Sequence, residues 1–314
     1  MSRRLQYIRP FDPWRQGSLC TCPFKYTVNP YTGCAHGCLY CYASSYIRNF
    51  FNPRPKKDFL KVAARDLSKI PPGSIINISS SSDPYQPLEA ELKLTRALLE
   101  AIPGGYVVEV VTKSDLVARD ADLLSRKASV VSLTVTTMDE SLAARLEPRA
   151  PKPSRRIGTM ETLSKAGVPV VLRLDPIVPG LNDDAESIRA VVEEAAQAGT
   201  RHVVTSVYKV KPDNVARVLS AFPDLEAKLR KLYWVEGERI HGYLYASRAY
   251  RVRVLKEVMK AAREHGLTFA TCREGLLSPD PGVACDGTHL AAAGVTRAAS
   301  SARKAASRAS FRTR

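Results

Sequence analysis

The stretch that most constrains this chain reads NPYTGCAHGCLYCY, residues 29–42. It places Cys34, Cys38 and Cys41 in the spacing Cys-x3-Cys-x2-Cys, with Gly33 and Gly37 among them and Tyr40 just before the last. Glycine lets a backbone turn tightly without a Cβ penalty, so three thiolates on such a loop can serve one soft metal centre. Structural zinc or a simple electron-transfer cluster ordinarily takes four protein ligands, and here only His36 is at hand as a fourth. A cubane held by three cysteines keeps one iron open to a ligand. The competing readings are cysteines packed as small hydrophobes, or a partial zinc site. Three cysteines inside eight residues weigh against the first, and the lack of a second Cys-x2-Cys pair nearby weighs against the second.

That spacing, with an aromatic before the third cysteine, resembles the radical S-adenosylmethionine (radical SAM) superfamily. Four thiols remain outside the triad: Cys20 and Cys22 near one end, Cys272 and Cys285 near the other. Four is the number for a closed zinc or iron–sulfur site. Such a second site would tie the N-terminal arm to the C-terminal region. Four unrelated free cysteines, or a disulfide of a thermophile's cytoplasm, are the alternatives.

The 314 residues suffice for one large core, with ordinary hydrophobic and charged fractions of 45% and 25%. No run of eighteen apolar residues is present, and MSRRLQYIRP lacks an apolar signal core, so a cytoplasmic protein with no membrane span is expected. The net charge of +16 is concentrated at the ends. Residues 1–57 carry nine Lys/Arg against Asp12, residues 291–314 carry six and no acid, and 58–290 is left at +2. Basic ends suit a polyanion such as nucleic acid, or are simply solvated termini.

Along the chain, residues 1–25 read as an irregular arm punctuated by Pro10, Pro13, Gly17 and Pro23, with Phe11 and Trp14 as its anchors. Phe50 and Phe51, beside Arg48, Arg54, Lys56 and Lys57, fit base stacking and core packing equally. Strands are expected at 26–31, 75–78, 106–112, 130–136, 168–174 and 202–207. Helices are expected at 58–69, 88–101, 115–127, 139–147, 154–166 and 183–198, the last capped by Asn182. Six short apolar strands alternating with helices predict an α/β fold, a partial (β/α)6 barrel over 26–210, with ligands at the C-terminal strand ends. Residues 211–290 read as mostly helical, with a strand-like 267–271, and 291–314 as a disordered basic tail.

Polar residues recur at the expected strand ends. SSSSDPYQPLE carries Asp83 and Tyr85 or is a polar turn capping the next helix; VTKSD puts Lys113 where a carboxylate could be held or is a surface lysine; SLTVTT offers Thr134 and Thr136 to a ribose or reflects β propensity. RLDPIVPGLND carries Arg173 and Asp175 into a turn.

SDPYQPLE, VTKS, LEPRAPKPSRR and LRLDPIVPGLND follow the cysteine loop in an order that resembles the spore photoproduct lyase-like, or DNA repair photolyase-like, proteins. The resemblance covers about residues 26–208. It implies a 4Fe–4S cluster on Cys34, Cys38 and Cys41, and S-adenosylmethionine beside it. It implies Tyr40 near the adenine, Ser82 and Asp83 at the amino group, Lys113 at the carboxylate, and Thr134 or Thr136 at the ribose. It further implies a one-electron donor such as ferredoxin or flavodoxin, a 5′-deoxyadenosyl radical, and a nucleic-acid substrate. One departure stands out. The spore lyase has Ala-Cys-Thr-Ser-Asp after the second strand, and its cysteine returns a hydrogen atom to the product radical. Here Ser80 holds that position, and a serine O–H bond is much too strong for the task. Poor thymine-dimer reversal is therefore expected; if Tyr85 substitutes as donor some repair survives, because a phenolic O–H is far weaker than an aliphatic one. Radical chemistry on a protein or small molecule, and a non-catalytic metal-binding module on nucleic acid, are the other functions that fit. The polar loops favour an enzyme, since a metal clip needs no cofactor pocket.

Overall fold

The computed structural model describes residues 5–11, 19–277 and 281–291. Its centre is an eight-stranded sheet of β1 (Arg9–Pro10), β2 (Lys25–Val28), β3 (Ile75–Ile78), β4 (Val107–Thr112), β5 (Ala128–Thr134), β6 (Val170–Ile177), β7 (His202–Val207) and β8 (Thr268–Thr271). Order in space follows order in the chain. Only β1 pairs antiparallel; every other neighbouring pair is parallel. Parallel neighbours need a crossover, and helices supply most of them. Among the described residues β1 and β8 do not pair with each other, so the barrel is open.

The strands alternate between two environments, as a period of two dictates. Val108 and Val110, Val131 and Leu133, and Leu172 and Leu174 are buried in the main core. Met160 and Leu163 of the helix Pro153–Lys165, and Val254, Leu255 and Val258 of Arg248–Glu264, belong to the same core. The intervening positions line a cavity and are largely polar: Lys25, Asn77, Glu109, Thr134, Arg173 and Asp175.

Several expectations move. The strand-like 267–271 is β8, seated parallel to β7, so the mostly helical C-terminal region returns one strand to the sheet. The helix expected over 88–101 is two, Pro87–Leu92 and Leu94–Ala101, broken at Lys93 with φ of 51°. The helix Ala185–Gln197 is capped by Asp184, not Asn182. Asn182 is buried instead; its side chain accepts from Val178 N at 2.7 Å and donates to Thr136 O at 2.6 Å. Strand β5 ends at Thr134, which leaves Thr136 in the following loop. Phe50 is core, packed with Cys34 and Ala43. Trp14 and all but the first residue of the basic tail lie outside the described residues.

Candidate active site

The cavity holds about 640 Å³ and opens where the strand-end loops gather. That volume is typical of a cofactor or small-molecule site. Cys34, Cys38 and Cys41 all line it, together with Tyr40, Ser80, Ser82, Asp83, Lys113 and Thr134. The sheet topology thus brings most of the sequence-expected residues to one place.

The cysteine loop is held from three sides. Gly33 has φ of 83°, and a Cβ there would stand 2.3 Å from Phe50 O, so the tight turn needs glycine. Gln86 accepts from Ala35 N at 2.9 Å and donates to Gly33 O at 3.2 Å. The chain after the helix Glu140–Leu146 contributes Arg149 N to His36 O at 3.1 Å, and Leu39 N reaches Leu146 O at 2.9 Å. From the helix Pro212–Ala221, Asn214 donates to Tyr40 O at 3.1 Å, and Arg217 donates to Leu39 O at 3.1 Å and Cys41 O at 2.9 Å. Burial raises the pKa of all three thiols, Cys34 to about 12.

Asp83 organises the loops more than it offers a free carboxylate. Its Oδ1 accepts from Tyr85 N at 2.8 Å and Thr112 Oγ1 at 2.7 Å, and its Oδ2 accepts from Lys113 N at 2.8 Å. His36 Nε2 stands 3.2 Å from Oδ2 as a further close partner. Burial alone would raise its pKa; His36 and the hydrogen bonds outweigh it and hold Asp83 at about 2. Asp83 therefore fixes Lys113, whose Nζ lies 5.4 Å from the Tyr40 ring centroid. The Tyr40 hydroxyl donates to buried Glu147, which also accepts from Thr136 Oγ1 at 3.1 Å and pairs with buried Arg156 at 2.5 Å. Arg156 in turn donates to Thr134 O at 3.1 Å. Of the two threonines, Thr134 lines the cavity and Thr136 spends its hydroxyl on Glu147.

Ser80 is exposed on the cavity wall, where its Oγ accepts from Thr27 Oγ1 at 2.9 Å. Tyr85 is elsewhere. It is buried, its hydroxyl donates to Asp120 Oδ2 at 3.0 Å, and it does not line the cavity. It is badly placed as a hydrogen donor there, a correction that follows from Asp120 and Arg119 drawing the ring into the core.

At the other end of the cavity lies a second polar cluster. Lys25 Nζ bridges Glu109 Oε2 at 2.6 Å and Asp286 Oδ2 at 2.7 Å, all three buried. Cys20, Cys22 and Cys272 line this region, and Cys22 Sγ lies 3.1 Å from Cys285 Sγ. The two ends of the chain do meet here. The second site expected of these four cysteines finds no support as a single-ion site: among the described residues no group of three or more His, Cys, Asp or Glu is set to hold one ion.

The same geometry bears on the triad. A single zinc needs its sulfurs at about 2.3 Å from one point. A cubane's cysteines bind separate irons, so their sulfurs need not converge. Three thiols on a glycine-turned loop facing a cavity fit such a cluster.

Residues 28–195, more than half of the chain, match the Radical SAM superfamily model, and the chain belongs to that enzyme superfamily. Its members use a 4Fe–4S cluster and S-adenosylmethionine. An uncharacterised protein of Methanocaldococcus jannaschii is 35% identical over 163 residues, 51% of this chain and 62% of that protein. A protein of Pseudomonas phage M6 named radical SAM Nalpha-GlyT isomerase is 25% identical over 86% of this chain and 60% of its own length. Among solved structures, spore photoproduct lyase complexed with dinucleoside spore photoproduct superposes with a TM-score of 0.63 at 14% identity, covering 86% of this chain and 80% of that one. The last likeness is one of fold.

Sequence reasoning left Gln86, Glu147, Arg156, Asn214 and Arg217 without roles. Glu147 and Arg156 both fall in LEPRAPKPSRR, and an acid closing an apolar helix was their one visible signal. Asn214 and Arg217 grip the loop from about 175 residues away, and nothing local marks them.

Proposed function

We propose that this chain is a radical SAM enzyme acting on nucleic acid, by a reaction other than thiol-terminated dimer reversal. The observation that carries the substrate class is the mouth of the cavity. Arg273 donates to the Tyr42 hydroxyl at 2.6 Å and lies 4.8 Å from that ring's centroid, while Lys211 lies 4.1 Å from the Tyr243 centroid. Tyr46 stands exposed beside them. Cations set against aromatic rings suit a ligand with both phosphate and base. The dinucleoside bound in the structural neighbour accords with this.

Cys34, Cys38 and Cys41 would hold the cluster, which when bound supplies the electron that cleaves S-adenosylmethionine to a 5′-deoxyadenosyl radical. Lys113 would take the carboxylate of S-adenosylmethionine, Tyr40 its adenine and Thr134 its ribose. Glu147 fixes the Tyr40 ring through its hydroxyl, and Asp83 fixes Lys113 through its backbone. Ser82 remains the side chain nearest the amino-group role, with Asp83 behind it. A one-electron reductant of ferredoxin or flavodoxin type completes the system.

Ser80 and Tyr85 set the reaction class. A hydroxyl stands where the lyase has a thiol, and the tyrosine is turned away. The phage relative's name, an isomerase, supports a non-lyase outcome.

The test is binding to single- and double-stranded DNA and RNA across a salt series, followed by mass spectrometry of products after anaerobic reduction with S-adenosylmethionine. Affinity should fall steeply with salt. No binding even at low salt would move the substrate to peptides or small molecules. On dimer-containing DNA the wild type should reverse dimers poorly and Ser80→Cys should gain. Efficient reversal by the wild type with no gain from the thiol would overturn the reading of Ser80.

A further inference from the structure

We propose that Cys22 and Cys285 are a redox-active dithiol that closes a reversible disulfide between the N-terminal arm and the C-terminal segment 281–291. The inference is independent of the substrate assigned above.

The sulfurs stand 3.1 Å apart although 263 residues separate them in the chain. Each sits next to one half of the same buried ion pair. Lys25 is three residues after Cys22, Asp286 is one residue after Cys285, and their 2.7 Å contact brings both thiols to the same place. The C-terminal partner is further pinned. His202 Nε2 contacts Cys285 O at 3.3 Å, and a Cβ on Gly287 would stand 2.3 Å from Val171 Cγ2, so the segment lies hard against the sheet. Forming a bond of about 2.05 Å asks the sulfurs to approach by only about 1 Å. Access is one-sided: Cys285 is buried, while Cys22 is half-buried and lines the cavity. An oxidant therefore reaches Cys22 first.

The chemistry is thiol–disulfide exchange with a low-molecular-weight disulfide. The Cys22 thiolate attacks one sulfur of R–S–S–R and releases RS⁻. The Cys285 sulfur then attacks Cys22 and releases the second RS⁻, and the Cys285 proton passes to one of the two leaving thiolates. Two electrons move from the cysteine pair to the small disulfide, and one protein disulfide forms. A pair of this kind in a reducing compartment is transient and sensing, not structural.

The test uses the full chain, purified anaerobically and equilibrated in glutathione buffers from fully reduced to fully oxidised. Free thiols are alkylated and the digest is read by mass spectrometry. A linked peptide joining the 20–22 region to Cys285 should appear at a defined redox ratio and vanish on reduction. Cys20→Ser should retain it, while Cys22→Ser and Cys285→Ser should abolish it. No linked peptide across the whole range overturns the proposal, and so does a link that survives Cys22→Ser and requires Cys20. A third overturning result uses Cys34→Ala/Cys38→Ala/Cys41→Ala protein: if it still binds stoichiometric zinc or iron that shields Cys22 and Cys285 from alkylation, the pair is a metal site.

Discussion

The two ends of the cavity are built in opposite ways. At the upper end, three cysteines from one short loop face the cavity, and each buried carboxylate behind them has a cationic side chain of its own: His36 for Asp83, Arg156 for Glu147. At the lower end, residues from positions 22 to 286 meet, and one lysine serves two carboxylates. The upper end is a local motif displayed by the fold. The lower end exists only because the fold is complete. Chemistry should therefore fail when the upper end is altered, and stability when the lower end is.

The largest expected effect separates the two. Replacing Cys34, Cys38 and Cys41 together by Ala should abolish cluster iron and the release of 5′-deoxyadenosine on reduction. Cys22→Ser/Cys285→Ser protein should keep both. Iron analysis and chromatography of the reaction mixture decide it. Loss of cofactor cleavage in the second variant would show that the lower thiols take part in the chemistry and erase the contrast.

A smaller effect tests the lower end. Lys25→Met leaves Glu109 and Asp286 facing each other in the interior without a cation. Breaking a buried ion pair from one side costs about 3–5 kcal/mol. Denaturant unfolding should show a loss of that order. A loss below about 1 kcal/mol would mean that water already reaches the pair.

The contrast also explains what the sequence disclosed. The triad, the strand-end residues and the parallel alternation were legible because each is a short-range pattern: three cysteines in eight residues, and polar side chains just past apolar runs. Thr136 and Tyr85 were misplaced for reasons of packing. A two-residue difference in where β5 ends gave Thr136 to Glu147, and the buried Asp120 captured the Tyr85 hydroxyl. β8 is legible as a strand but its place in the sheet is not, because its pairing with β7 spans some 65 residues and a long helix. The count of thiols joins Cys22 and Cys285 only as half of a four-cysteine metal site. Only the Lys25–Asp286 contact shows why those two sulfurs approach each other.

The smallest effect is one of sign, and it sharpens the comparison most. Asp83 is held at about 2 against an ordinary value of 3.8: burial pushes it up, and His36 with the donated hydrogen bonds more than reverses that. A depressed carboxylate contributes stability that is present above its unfolded pKa and lost as pH falls through its folded pKa. The upper end should thus lose about 2 kcal/mol between roughly pH 4 and pH 2. Glu109 is shifted the other way, from 4.5 to about 7, first because it is buried and also because Asp286 shares its lysine. A raised carboxylate favours the protonated folded state, so its contribution is present below pH 4.5 and lost as pH rises to about 7. The two ends therefore tilt the stability curve in opposite directions over separate pH windows. Asp83→Asn should flatten the acid limb and leave the neutral one, and Glu109→Gln should do the reverse. Unfolding free energies measured from pH 2 to pH 8 on the three proteins would show it. If Glu109→Gln leaves the neutral limb unchanged, the lysine holds both carboxylates ionised, and the lower end is the better-satisfied of the two.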